Sequence, residues 1–202
     1  MTLFPAAAQA APILFDLEAE ATTGPITTLT LTSGGVTMTI TRESSAVFGV
    51  FDPFGFPPQF GDRVISPFAG GTPGSSRFLA NLSQPTFFFG LDFGDLGDDD
   101  DVVTLEAFSG ANQTGALLVS QTFPYPGKLF PSFESISIGG PNPALSLRFF
   151  STSSGGTTGV LGPNTVYFDN FQLSTTPIPE PASLVLLASG LAGVAFRRRR
   201  QG

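Results

Sequence analysis

The chain has 202 residues with no cysteine and no histidine, which excludes disulfides, thiol catalysis, thiolate metal sites and the usual imidazole base or ligand. Its formal charge is −7, yet four of its nine basic residues are the run Arg197–Arg200; the remainder sets five basic against 16 acidic residues and has no basic patch for nucleic acid. Gly 24, Pro 18 and Phe 22 with only 12 % charged residues favour turns and aromatic-rich strands over helices.

Leu3 to Pro12, LFPAAAQAAP, is similar to the end of a secretory signal, with Ala8-Gln9-Ala10 as its small-x-small cleavage site. No Lys or Arg precedes Arg42 and the apolar stretch is too short to drive export, so translation is expected to begin upstream, leaving Met1 internal; an Ala-rich disordered end is the alternative. Residues 1–12 therefore stand apart, as a signal remnant or disordered end, from one domain over 13–174 and a tail over 175–202.

Ile13 to Glu20 alternates, which predicts a first strand with Ile13, Phe15, Leu17 and Ala19 inward and Asp16, Glu18 and Glu20 outward. Ile26–Ser33 and Val36–Arg42 flank Gly34-Gly35, a two-residue hairpin signal, because both turn positions tolerate positive φ. Leu29, Leu31, Val36, Met38 and Ile40 form its buried face, and the intervening threonines make an outer face suited to solvent or to a flat polymer. A strand over Ala46–Phe51 leads into a loop over Asp52–Ser76, rich in Pro, Gly and Phe, whose Phe54, Phe56, Phe60 and Phe68 either plug the core or offer rings to a sugar. Further strands are expected over Arg77–Leu82, Pro85–Phe93, Val102–Ser109, Ala116–Phe123, Phe133–Gly139, Leu145–Ser151 and Thr165–Leu173, with a loop over Gly110–Gly115. Short strands at this spacing predict an all-β fold, a β-sandwich or jelly roll.

Asp92, Asp95, Asp98, Asp99, Asp100 and Asp101 place six carboxylates within ten residues. Their mutual repulsion would be relieved by a hard cation such as Ca²⁺, although the spacing is not that of an EF-hand, since the sixth position from Asp95 is Asp100 rather than Gly. A solvated acidic turn is the alternative. For catalysis, no sequence context pairs Glu18, Glu20, Glu43, Glu106 or Glu134 across a cleft, and no serine has a histidine partner, so the chain is not expected to be an enzyme.

The tail joins Pro179-Glu180-Pro181, an uncharged apolar run from Ala182 to Phe196 and the cluster Arg197, Arg198, Arg199 and Arg200. As a helix at ~1.5 Å per residue the run reaches roughly 22 Å, short for a hydrocarbon core of about 30 Å, and the trailing arginines favour the cytoplasmic side. These three parts in this order resemble a PEP-CTERM sorting signal. The resemblance implies export by a Gram-negative bacterium that makes extracellular polysaccharide, transient residence in the inner membrane through a short transmembrane helix, and processing by exosortase, a membrane transpeptidase. A permanent membrane anchor is the alternative.

A second resemblance, more diffuse, rests on DFGDLGDDDDVVTLEAFSG, ANQTGALL, SLRFF and TVYFDNFQL, with Tyr167-Phe168-Asp169-Asn170-Phe171 its best-matching part. These segments look like the C-terminal half of galactose-binding-like jelly-roll modules. That likeness implies a structural calcium where first and last strands meet, with Asp16, Glu18 and Asp169 as the matching acidic residues; a turn or edge role for Asp169 is the alternative. The expected function is an exported surface or matrix protein with a structural or glycan-binding domain, whose ligand and sugar-contacting residues stay unnamed. A polysaccharide hydrolase is the competing reading.

Overall fold

A computed structural model describes residues 11–43, 47–52, 61–67, 77–95, 100–126, 132–153 and 166–177. These form the strands β1 (Ile13–Phe15), β2 (Thr23–Ile26), β3 (Thr28–Ser33), β4 (Val36–Arg42), β5 (Phe48–Phe51), β6 (Val64–Pro67), β7 (Phe78–Asp95), β8 (Asp101–Phe108), β9 (Leu117–Tyr125), β10 (Ser132–Ser153) and β11 (Val166–Ser174), with a 3-10 turn at Ala111–Gln113. All their pairings are antiparallel.

Two long strands, β7 and β10, run through both layers of an all-β sandwich. The first part of β7 lies between β4 and the second part of β10, where Ala80 faces Ile40 and Leu147. Its second part lies between β11 and the first part of β10, where Phe93 faces Phe168 and Glu134. Register shifts between Gly139, Ala144 and Ser146 mark the place where β10 passes from one layer to the other, as bulges bend strands. One layer is thus β3-β4-β7-β10-β8-β9; the other is β2-β5-β6-β11-β7-β10, with β1 beside β11. Phenylalanine fills the space between them: Phe149 packs edge-on against Phe168 at 5.0 Å, and Phe93 meets Tyr125 at 5.3 Å.

The β3–β4 hairpin forms as its sequence predicts. Ser33 pairs with Val36 across Gly34 (φ 54°) and Gly35 (φ 77°), and Leu29, Leu31, Val36, Met38 and Ile40 are buried. Other expectations need correction. The first strand stops at Phe15 instead of running to Glu20; the chain then turns, with the Glu20 N–H donating to Leu17 O at 2.9 Å, and Ala19 is exposed. The expected loop after Asp52 contains β6, whose Ile65 pairs with both Val50 and Phe168. The two strands expected around Ser83–Gln84 are one, because Ser83 Oγ accepts from the Thr37 N–H (2.8 Å) and Gln84 Nε2 donates to Gly35 O (2.9 Å), fastening the junction to the hairpin.

Candidate functional site

Two polar sites lie on the outside of the sandwich, one on each layer. The first is built on a break in β11. Asn170 takes φ 49°, a left-handed conformation that asparagine tolerates, and the pairing of β11 with β7 shifts between Asp169 and Gln172. The break puts Phe168 and Phe171 in the core and sends Asp169, paired with Asp92, to the other face. There Asp169 is nevertheless 0 % exposed, and neither carboxylate oxygen meets a hydrogen-bond donor at full bonding geometry. Burial pushes its pKa up to about 8; the Asn170 backbone N–H offsets part of that rise, and the negative charges of Glu18, Asp92 and Asp16 add to it.

The surroundings of Asp169 are arranged around anionic oxygen. Glu18 Oε1 accepts from the Asp62 N–H at 2.7 Å, and Arg63 Nε donates to Glu20 O at 3.2 Å, joining the Leu17–Glu20 turn to residues 61–63. Gly61, at φ +75°, makes the close approach possible: a Cβ there would stand 2.0 Å from Glu18 Oε1 and 3.4 Å from Asp169 Oδ2. Asp92 is separately satisfied by Ser135 Oγ (2.5 Å) and Asn170 Nδ2 (3.1 Å). A buried carboxylate whose oxygens meet no donor at full bonding geometry, close to the Glu18 carboxylate, fits a hard cation such as Ca²⁺. Among the described residues no three carboxylates are positioned to hold an ion jointly, so a cation on Asp169 and Glu18 would complete its shell with backbone carbonyl or water oxygens.

The second site is centred on Arg148 of β10, whose register partners are Glu106 on β8 and Leu79 on β7. Its Nε donates to Glu106 Oε2 at 2.6 Å, and its Nη1 reaches Gln113 Oε1 at 3.0 Å and Glu43 Oε1 at 3.3 Å. The guanidinium lies over Phe108 (5.6 Å) and Phe150 (5.5 Å), and Arg77 lies over Phe150 as well, 3.6 Å from Glu43. Gln113 is brought there by a strained turn in which both Asn112 (φ 53°) and Gln113 (φ 60°) are left-handed. The turn is fixed from below: Asn112 N–H donates to Asn81 Oδ1 (2.7 Å), Asn81 Nδ2 donates to Asn112 Oδ1 (2.8 Å), and Gln113 N–H donates to Ser146 Oγ (2.9 Å). Asn81, Thr39 and Thr30 continue the same face across β7, β4 and β3.

Asp16 and Glu18 follow the end of β1 instead of standing on a first strand, and they are exposed within reach of the Asp169 charge. The acidic run is divided: Asp95 ends β7, Asp100 is exposed, Asp101 is buried at the start of β8, and Asp98 and Asp99 lie outside the described residues. Phe54, Phe56, Phe60, Phe68, Pro179, Glu180, Pro181 and Arg197–Arg200 also lie outside them, as does the expected transmembrane helix. Among the described residues no helix is long and apolar enough to cross a membrane. Sequence reasoning did not find the Arg148 site; its one signal was an arginine and a glutamate standing singly within the apolar strands SLRFF and VVTLEAF.

Residues 177–200 match the PEP-CTERM protein-sorting motif. None of the curated proteins matches the sequence. Among solved structures, the K2 cleaved adhesin domain of Lys-gingipain aligns with 82 % of this chain and 99 % of its own at 10 % identity and a TM-score of 0.51, a likeness of fold. The CBM22-1 xylan-binding domain of Xyn10C from Paenibacillus barcinonensis aligns with 85 % of this chain and 99 % of its own at 15 % identity and a TM-score of 0.39. The enzymatically active domain of tailspike protein 4 from bacteriophage CBA120 aligns with 70 % of this chain at 13 % identity and a TM-score of 0.42, and this chain spans 20 % of its length. The chain is an all-β sandwich that carries a PEP-CTERM sorting signal at its C-terminus.

Proposed function

We propose that the protein is exported by a Gram-negative bacterium, held briefly in the inner membrane by its tail, and cut at or near Pro179-Glu180-Pro181 by an exosortase-type transpeptidase. Its sandwich is then delivered to the cell surface or extracellular matrix, where it acts on polysaccharide as a binding or structural module rather than as a catalyst. The match of residues 177–200 to the sorting motif carries this reading. Each part of the tail has a physical task. Ala182 to Phe196 supply apolar surface for lipid, Arg197–Arg200 favour the cytoplasmic side, and Pro181 biases the residue before it, Glu180, away from helix, as a protease requires of its substrate. On the Arg148 face, Glu43 and Glu106 both lie on the guanidinium instead of facing each other across an open cleft, which favours binding over hydrolysis. Mass spectrometry of the mature protein's C-terminus in its native host tests the proposal. A terminus at or near Pro179–Pro181 is expected; an intact Gly202 on the surface-exposed protein would mean a permanent anchor.

A structural Ca²⁺ belongs to the same reading, with Asp169 and Glu18 as its carboxylate ligands and Asp16 and Asp92 adding negative field. The ion would neutralise a charge that is otherwise buried alone, a situation that costs several kcal/mol. In the described part of the Asp95–Asp101 run, Asp100 is exposed and the buried Asp101 has partners of its own, which supports Asp169 as the place for the ion. Calorimetric titration of the full-length chain with Ca²⁺ is expected to release or absorb heat at millimolar metal, and to give none in Asp169→Ala.

A further inference from the structure

We propose that the Arg148 face is the glycan-binding surface and that it takes an uncharged polysaccharide laid across the strands. The inference rests on the reading of the module as a matrix protein, and it names both the surface and the class of sugar. Three observations carry it. The first is the turn at Asn112–Gln113: two successive non-glycine residues in left-handed backbone are held in place by three hydrogen bonds, two donated by the turn's N–H groups to Asn81 Oδ1 and Ser146 Oγ and one donated by Asn81 Nδ2 to Asn112 Oδ1. Strain maintained in this way fixes a side chain rather than serving the fold. The side chain in question is Gln113, whose Oε1 accepts from Arg148, so that its NH₂ group is directed away from the guanidinium with its own donors still to place.

The second observation is the pairing of rings with charge. Phe150 is half-buried beneath both Arg77 and Arg148, while Phe108 and Glu106 form the floor. A rigid stack of this kind presents an apolar edge next to fixed donors and acceptors, the combination that a sugar ring needs, with C–H on its face and hydroxyls on its rim. The third is the charge itself. Arg77 and Arg148 are balanced by Glu43 and Glu106, so the face has no net attraction for an anion, and five basic against 16 acidic residues outside the tail cluster repel a polyuronate at long range. Six strands at about 4.8 Å spacing make the layer roughly 24 Å wide, room for several sugar units, and the threonines of β3 and β4 extend it with hydroxyls.

The test uses the full-length chain in affinity gel electrophoresis. Soluble neutral polysaccharides (glucan, xylan, mannan and galactan) and polyuronates are cast in the gel one at a time. Gln113→Gly is the informative variant because glycine adopts φ 60° without strain, so the amide is lost while the turn is kept. Retardation by at least one neutral polymer and none by polyuronates is expected, with affinity reduced about tenfold in Gln113→Gly and more in Phe150→Ala, and with an unchanged melting temperature for Gln113→Gly. Retardation by polyuronates instead overturns the assignment of class. Binding that survives both substitutions overturns the face and leaves a glycan-binding module with its site elsewhere. No retardation by any polymer overturns the face together with the glycan-binding reading, while the sorting of the tail is decided separately by its mature terminus.

Discussion

Asp169 is a single side chain whose environment reverses the usual behaviour of a carboxylate. Most native carboxylates are paired, so acid destabilises; here burial raises the folded pKa to about 8 from roughly 3.9 in an unfolded chain. The sign follows from which state holds its proton more tightly. The folded chain does, so the contribution of Asp169 to stability is full below about pH 4 and is lost as pH rises through 8. Ordinary carboxylates have finished titrating by about pH 5.5, which isolates Asp169 above it. In chelator, the melting temperature is therefore expected to fall between about pH 5.5 and pH 8, and Asp169→Asn, which keeps the shape without the charge, is expected to remove most of that slope and melt higher than the parent at pH 8. If Asp169 holds the proposed cation, millimolar Ca²⁺ is expected to flatten the parent's slope by competing with the proton. A variant that melts lower than the parent at pH 8 in chelator would mean that the buried charge is already well compensated.

Elements divide by whether their cause is local. The β3–β4 hairpin was legible because two glycines, alternating apolar residues and a two-residue spacing all act within Thr28–Arg42, and β8, β9 and β11 were legible from short apolar runs bounded by turn residues. What could not be read depends on distant partners. β6 is four residues in a Pro- and Gly-rich stretch and exists because β5 and β11 stand on either side of it; β7 runs unbroken through Ser83–Gln84, where the hairpin's Thr37 and Gly35 bind it. At the sites, Asp16, Glu18 and Asp169 were singled out only through a resemblance to jelly-roll modules, while the Arg148 cluster unites residues from positions 43 to 150, and no local pattern brings them together. The break in β11 lies between these cases: its residue, Asn170, was part of a noticed motif, yet its role is geometric. Phe168 and Phe171 are an odd number of positions apart and would face opposite sides of a regular strand; Asn170 at φ 49° lets both enter the core. Asn170→Val forces a β-branched residue into that conformation and is expected to lower unfolding free energy by about 1–3 kcal/mol in urea denaturation. Asn170→Gly keeps the backbone and loses the bond to Asp92, a smaller cost of about 1 kcal/mol. Equal losses in the two variants would locate the role of Asn170 in its side chain instead.

At the scale of the module, the Asp169 site ties together three stretches that are far apart in the chain: the Leu17–Glu20 turn, residues 61–63 and β11. Glu18, Asp16, Asp92 and Asp169 repel one another there, so the proposed cation would do more than fill a site; it would decide whether the first two stretches close on the third. Calcium sites of extracellular modules bind at about 10⁻⁴ to 10⁻³ M, concentrations met outside the cell, and a module closed by such an ion would be looser before export than after it. Arg63 makes this measurable, because it lies beside Glu20 in the segment that would open, whereas Arg148 lies in the middle of β10 between two paired strands. Trypsin treatment of the full-length chain is expected to cut after Arg63 about tenfold faster in chelator than in millimolar Ca²⁺, with cleavage after Arg148 slow in both, since only local opening is involved. Asp169→Asn should make cleavage after Arg63 indifferent to calcium. If the two arginines are exposed together on chelation, the ion holds the whole sandwich rather than its closing segments; if neither rate responds while calorimetry records binding, the ion occupies its site without closing anything.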